Sequence, residues 1–488
     1  MTLISLVGLP AIVDYVNTIT SPKLGDCDLN IAIASFLAVE QDGATTVNKQ
    51  SEKLTESVYK EVAKGFGAED GTCSHELGGR SIGVLPPDYV GPIQGETEEL
   101  RERAAEIRAS EIKAFLIIDG RLTDIESGRA FTPGFYVHAA GFNQASELDG
   151  PYALGKAILL HPDADQDHVL IINDSLDRRT RALVNVAFGV AHMADNSFET
   201  ARSYFEKAGT YLKNEEGKDV VYLLIGNTYL QTGSKQELNQ NLDQALEYYE
   251  AVLEINCAEA ECSHARAILG KAIVLTRQGK GDADRNVPTD VSILDEAIAL
   301  YRQVLTTPYP PEAQLEVKAH LGLGDALLYK AIETQKCQGF QEAQAELEKV
   351  IVAYESSGFN SGDVSIRVRT ALAYARLGYI ASRFAGKDDL QISILYYENA
   401  AFLATAVDRA EILQEIGVLR DRQNEYALAC AAYSKCLEYP NEGTTCAKEV
   451  DVLDCRLQYP ESKLELTEYK PLSEVGTIAA YCSPGASD

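Results

Sequence analysis

One skeleton occurs six times over about residues 180–440 of this 488-residue chain, and it restricts the fold more than any other feature. In EILQEIGVLRDRQNEYALACAAYSKCLEYP, Glu411 to Pro440, Gly417 is followed by Ala429 twelve residues on, Tyr433 at sixteen and Cys436 at nineteen. A glycine and an alanine so placed let two antiparallel helices cross closely, and the later aromatic and aliphatic side chains fill the seam. Gly189 repeats the spacing without a gap, through Ala201, Phe205 and Ala208. Gly226 with Tyr229, Ala245, Tyr249 and Val252, and Gly324 with Ala343, Leu347 and Val350, each take seven extra residues, which the pattern assigns to the turn between helices. Gly270 with Ala297, Tyr301 and Val304 takes fifteen, centred on the polar GKGDADRNVPTD. Gly378 with Ser393, Tyr397 and Ala400 takes three and exchanges alanine for serine. One such hairpin is ordinary; six in register predict an all-α array of about six helix pairs.

These residues resemble the tetratricopeptide repeat family over about residues 180–440. The resemblance implies a solenoid whose first helices line a concave groove. Two departures mark the array as divergent: the chain has no tryptophan, and its glycine-to-glycine spacings of 37, 44, 54, 54 and 39 exceed the usual ~34. With the glycine counted as eighth, the family's groove-facing positions fall on Asn227, His264, Lys271, Lys318, Asp325, Tyr329, Tyr379, Arg383, Gln414 and Arg422. That implies a protein or peptide partner in the groove. Lys271, Lys318 and Arg383 would hold a peptide's carboxylates against an acidic background, or would merely balance neighbouring acids; both readings are open.

Ahead of the repeats the pattern changes to strand, helix, strand, helix, strand. LNIAIASFLAV, Leu29 to Val39, reads as a buried strand, and SEKLTESVYKEVAKGFG as an amphipathic helix with Leu54, Val58, Val62 and Phe66 on one face. SIGVLPP, the charged ETEELRERAAEIRASE and AFLIIDGRL follow, then glycine- and proline-punctuated runs that predict an antiparallel extension. Residues 29–120 resemble, through hydrophobic pattern alone, the small α/β domain at the front of the Tol-system β-propeller protein and of flagellar and curli-secretion lipoproteins. That likeness implies an envelope docking module and carries over no catalytic residue. The expected organisation is an N-terminal apolar segment and link over 1–28, an α/β domain over 29–162, a linker over 163–179, an all-α solenoid over 180–440, and a capping segment over 441–488.

The formal net charge of -29 repels phosphate backbones, and RRTR at Arg178 to Arg181 is the main basic run, so nucleic acid is not the expected partner. Ten cysteines with several near neighbours fit either disulfide staples of an oxidising compartment or buried cytosolic thiols. The candidate bridges are Cys257 with Cys262, Cys446 with Cys455 closing a ten-residue cap loop, and Cys27 with Cys73. TLISLVGLPAIV, Thr2 to Val13, is too short to span a bilayer and lacks the charge and cleavage pattern of a signal peptide. It reads as the end of an anchor that begins before Met1 or as a helix docked on the protein, and membrane association is the expectation.

No P-loop, H-E-x-x-H helix or G-x-S-x-G elbow occurs. Cys73 and His75 in CSHE stand at the spacing of a nucleophile and base, though a disulfide loop fits them better. DADQD at Asp163 to Asp167 and DADRN at Asp282 to Asn286 begin like calcium loops but lack the glycine and glutamate that complete one, so no metal or cofactor is expected. The sequence therefore predicts a non-enzymatic scaffold or adaptor, extracytoplasmic at the envelope or surface, with self-association left open. The alternatives are a ligand sensor that uses the α/β domain with the repeats as relay, an enzyme built on Cys73 and His75, and a cytoplasmic location.

Overall fold

The computed structural model describes residues 27–40, 44–68, 73–77, 80–125, 128–138, 148–160, 174–212, 217–232, 238–255, 263–281, 287–306, 313–357, 364–384, 390–439, 446, 449, 455, 464, 466 and 469–475. The chain forms two compact units, Met1–Thr232 with Ile255–Ser263, and Gly233–Glu254 with His264–Asp488.

The first unit is built on a mixed sheet. Strand β1 (Leu29–Ile33) lies between two parallel neighbours, β5 (Arg80–Leu85) and β6 (Ala114–Ile125), with Ile31 opposite both Val84 and Leu116. Every residue of β1 is buried, as a central parallel strand covered on both faces requires. The single strand expected over Leu29–Val39 is broken at Ala34–Phe36, where the Phe36 amide donates to Thr55 Oγ1 at 2.9 Å and the Ser35 amide to Gly91 O at 3.0 Å. The chain then resumes as β2 (Leu37–Val39), still parallel to β6. Short β3 (Thr45–Thr46) and β4 (Ser74–Leu77) edge the sheet, and β7 (Gly128–Val137), β8 (Gly150–Ala153) and β9 (Ile158–Leu160) form the antiparallel extension.

Helix α1 (Lys49–Phe66) starts at a capping box of Asn48 and Ser51 and ends at Gly67 with φ 64. Its buried face holds Leu54, Val58, Val62 and Phe66, as the spacing predicts. After the turn α2 (Pro87–Val90), α3 (Glu98–Glu111) is capped by Thr97, whose Oγ1 accepts from the Leu100 amide.

Helices α4 (Asp174–Ala194), α5 (Phe198–Tyr211) and α6 (Lys218–Gln231) belong to the same unit as the sheet. Aromatic stacking explains this: Phe66 of α1 lies 3.8 Å from Phe188 of α4, centroid to centroid, and Phe188 lies 5.0 Å from Tyr204 of α5. Arg179 reaches back to the carbonyls of Leu154 and Lys156, and Arg80 donates to Ala194 O. The basic run at 178–181 thus ties a helix to the sheet, and the compact units do not divide where the repeats begin.

The second unit comprises α7 (Leu238–Glu254), α8 (His264–Gly279), α9 (Val291–Thr306), α10 (Ala313–Thr334), α11 (Cys337–Ser356), α12 (Val364–Phe384), α13 (Gln391–Leu403), α14 (Ala406–Arg422), α15 (Tyr426–Cys436) and the short α16 (Leu472–Val475). One apolar core runs through it from Ile268 to Val475. Consecutive helices pack on each other, and the first helices of successive pairs also touch, α8 on α10 and α10 on α12.

At four pairs the repeat glycine receives the expected side chain: Gly189 meets Phe205, Gly324 meets Leu347 at 2.8 Å from its ideal Cβ position, Gly378 meets Tyr397 at 2.7 Å, and Gly417 meets Tyr433. Gly270 does not meet Tyr301. It faces Tyr249 of the preceding helix α7, while Tyr301 is seated on Gly322, the glycine that the repeat count passes over. Gly226 lies in the first unit, and its expected partners Ala245 and Tyr249 lie in the second.

The seven extra residues after Gly324 are not in the turn. Helix α10 continues to Thr334 and α11 starts at Cys337, so the insertion lengthens the two helices by roughly one turn each of 3.6 residues. Whole turns keep the seam residues on the same face, which is why the register survives. The two gapless repeats share one turn: Asn196 (φ 57) and Asn424 (φ 61) are left-handed, and Ser197 and Glu425 donate back to His192 O and Arg420 O.

Three disulfides are formed among the described residues: Cys27–Cys73, Cys430–Cys455 and Cys436–Cys446. Cys446 and Cys455 therefore do not close a cap loop on each other. Each is tied to α15, because that helix presents Cys430 and Cys436 to the returning chain. Cys337 is also disulfide-bonded, and no described cysteine is free. Such bridges persist in oxidising compartments. Among the described residues no helix is long and apolar enough to cross a membrane. Cys257, Cys262 and the segment Thr2 to Val13 lie outside the described residues.

Candidate partner-binding face

The first helices α8, α10 and α12 carry most of the residues expected in the groove. Arg376, on α12, organises the best-formed part. Its Nε donates to Asp325 Oδ1 of α10 at 2.9 Å, and the pair keeps 37% and 25% of its side-chain area exposed. Asp325 foremost, and Tyr329 with it, hold the guanidinium protonated well above its ordinary range. Tyr329 stands within electrostatic reach of Arg376, Asp325 and Tyr379, and burial pushes its hydroxyl up. Lys280 lies 6.0 Å from the centroid of the Tyr329 ring. Arg383, one turn beyond Tyr379, is exposed and donates to Gln335 Oε1 at 3.2 Å.

The structure thus brings Asp325 and Tyr329 to a residue that sequence reasoning missed, with Tyr379 near Tyr329. Arg376, Tyr379 and Arg383 stand at i, i+3 and i+7, the spacing of one helix face, so the signal was present. Other candidates are used internally. Lys271 Nζ is 3.0 Å from Glu250 Oε1 and 3.9 Å from Glu296, and Lys318 is buried. Neither is a ready clamp for a foreign carboxylate. Asn227 is buried in the first unit, His264 and Gln414 are half-buried, and Arg422 is exposed at the end of α14.

A guanidinium that gives its Nε to Asp325 still presents its two terminal nitrogens, the fork that matches a carboxylate. Tyr329 beside it, with Tyr379 near Tyr329, supplies contact area at low entropic cost. The face has the chemistry of recognition, polar donors set on a preformed helical surface.

The remaining candidates do not assemble. Cys73 is bonded to Cys27, so no thiol is available there as a nucleophile. Among the described residues no group of three or more His, Cys, Asp and Glu side chains is placed to hold a metal ion; Asp163 to Asp167 and Asp282 to Asn286 lie outside them. In the first unit a cavity of about 10 Å³ lies between the sheet, α1 and α4, lined by Phe36, Val58, Asp119, Phe131, Arg179 and Thr180 among others. That volume admits one water molecule and no small ligand. No protein-family model and no curated protein sequence matches the chain.

Proposed function

We propose that the protein is a non-enzymatic scaffold of the tetratricopeptide-repeat type, a curved helical array that holds a partner protein in an oxidising, extracytoplasmic space at the cell envelope or surface. The observation that carries this reading is the Arg376 site: of the residues expected from the repeat register to face a groove, Asp325 and Tyr329 meet one half-exposed guanidinium, and Tyr379 stands within electrostatic reach of Tyr329. The partner it suits is an extended segment carrying a carboxylate, which pairs with Arg376 while its neighbouring residues lie on Tyr329 and Tyr379. The three disulfides support the compartment.

Site-specific photo-crosslinking in the producing cells tests the reading. A crosslinker at Tyr379 should give one discrete adduct that Arg376→Glu abolishes, while a crosslinker at exposed Lys349 on α11 gives none. Equal adduct patterns at both positions, or an adduct at Tyr379 that is indifferent to Arg376→Glu, would refute it.

A further inference from the structure

The surface made by α11, α12 and α13 already holds a stretch of polypeptide, residues 469–475 of the chain itself, which enters the short α16 at Leu472. Asn399 of α13 donates Nδ2 to the Lys470 carbonyl at 2.7 Å and accepts from the Lys470 amide at 3.0 Å. One side-chain amide thereby reads both backbone groups of a single residue, whatever that residue's side chain. Glu355 of α11 accepts twice on Oε1, from the Tyr469 hydroxyl at 2.9 Å and from the Leu472 amide at 2.7 Å. The Tyr469 hydroxyl also meets the Tyr374 hydroxyl of α12 at 2.9 Å. Around the Tyr469 ring, Tyr354 and Tyr374 stand edge-on at centroid distances of 5.8 and 5.9 Å. The site therefore combines main-chain recognition with a tyrosine pocket and an apolar contact three residues further on.

The hold on this stretch differs in kind from the hold on the chain before it. Cys446 and Cys455 are covalently fixed to α15 and buried. Within 469–475 Val475 is buried, while Lys470, Ser473 and Glu474 are exposed and the rest half-buried. Val475 lies in the apolar core and Tyr469 and Leu472 pack against it, so the stretch is held by this burial and its hydrogen bonds together with its tether, which keeps it at high effective concentration.

We propose that the α11–α13 surface is a second recognition site, separate from the Arg376 face, for a segment of a partner protein carrying a tyrosine and, three residues on, an apolar residue that follows a proline and opens a helical turn. The chain's own Tyr-Lys-Pro-Leu at 469–472 occupies the site in cis and sets the threshold a partner must exceed. Recognition runs through Asn399 and Glu355 to the segment's backbone, and through Tyr354 and Tyr374 to its tyrosine.

The test uses the full, oxidised chain and a fluorescent synthetic peptide of residues 464–476, read by anisotropy. A variant with Tyr469→Ala and Leu472→Ala loosens the resident stretch; hydrogen exchange verifies that 469–475 loses protection while α11–α13 keep theirs. This variant should bind the peptide at least tenfold more tightly than the native chain, and adding Asn399→Ala should return binding to the native level. A peptide with phenylalanine for its tyrosine should bind about fivefold more weakly. No saturable binding by the loosened variant overturns the proposal. So does loss of protection in α11–α13 together with 469–475, in the double variant or in Asn399→Ala alone, because the stretch is then part of the core. Concentration-dependent dimerisation of the native chain would assign the site to a second copy and overturn the foreign occupant.

Discussion

Gly270→Ala in helix α8 tests how successive helix pairs interlock. In a solvent-exposed helix interior this change stabilises by about 0.8–1.0 kcal/mol, because alanine restricts the unfolded chain and favours the helix. Here a Cβ would stand 2.5 Å from Tyr249 Cζ, 2.7 Å from Cε1 and 2.9 Å from Cε2. Carbon atoms pack best at about 3.5–4.0 Å, so the ring has to retreat by about 1 Å. Tyr249 has no exposed area into which to swing. Overpacking of this kind costs up to about 3 kcal/mol, which leaves a net loss of about 2 kcal/mol after the propensity gain. Urea unfolding followed by far-UV circular dichroism measures it, the chain having no tryptophan to report by fluorescence. In a Tyr249→Leu background the ring is gone, and Gly270→Ala should become neutral or stabilising by up to about 1 kcal/mol. A Tyr301→Leu background should give no such rescue, since Tyr301 is seated on Gly322. Rescue by Tyr301→Leu, or an unchanged loss in the Tyr249→Leu background, would refute the packing.

Peptide mapping of the unreduced protein should recover Cys27–Cys73, Cys430–Cys455 and Cys436–Cys446, and a Cys446–Cys455 peptide would contradict the fold of the C-terminal segment. From sequence separations of 46 and 10 residues, loss of Cys27–Cys73 should cost about 4 kcal/mol and loss of Cys436–Cys446 about 3 kcal/mol on the chain-entropy estimate. Burial raises the Glu346 carboxyl, but hydrogen bonds from His320 and Lys349 outweigh it and hold the folded group below its ordinary 4.5. Its stabilisation is therefore complete above the unfolded value and lost as pH falls through the folded one. Glu346→Gln should lower stability at pH 7, with the gap to the native protein closing below pH ~4; a gap independent of pH would refute the linkage. Asn424→Ala should cost about 1–2 kcal/mol because the residue is left-handed at φ 61, while Asn424→Gly should not, as urea midpoints will show.

The helices, their seam glycines and the alternation of strands with helices in the first unit were legible because periodicity and small residues report directly on burial. What a seam glycine faces was less legible. Gly270 and Gly378 occupy equivalent places in the repeat, yet one receives a ring from the preceding helix and the other from its own pair. A glycine marks a gap, and the gap is open to both neighbours; insertion lengths decide which ring arrives. The seven-residue insertion after Gly324 was visible in sequence but not its placement, since two extra helical turns and a seven-residue loop give the same spacing. Arg376 was hidden by being counted as a non-groove position, although its spacing to Tyr379 and Arg383 put it on their face. Disulfide pairing was illegible for a geometric reason: nearness in sequence favoured Cys446 with Cys455, whereas α15 holds Cys430 and Cys436 six residues apart to receive one each.

The path of the C-terminal segment argues that its contact with α11–α13 is selective. An array that ends in α14 and α15 has an apolar outer face to cover, and terminal segments ordinarily serve that purpose. Here the last helix and its end keep Tyr426, Leu428 and Leu437 exposed at 41%, 37% and 44%. Cys455 is bonded to Cys430 of that helix, yet the described residues 469–475 bind Glu355, Tyr374 and Asn399 on earlier helices. Hydrophobic covering alone would have favoured the nearer surface, because it is non-directional and scales with area. The more distant site wins by offering directed bonds to backbone groups and a pocket for one tyrosine, which is how a surface selects a segment rather than merely being covered by one.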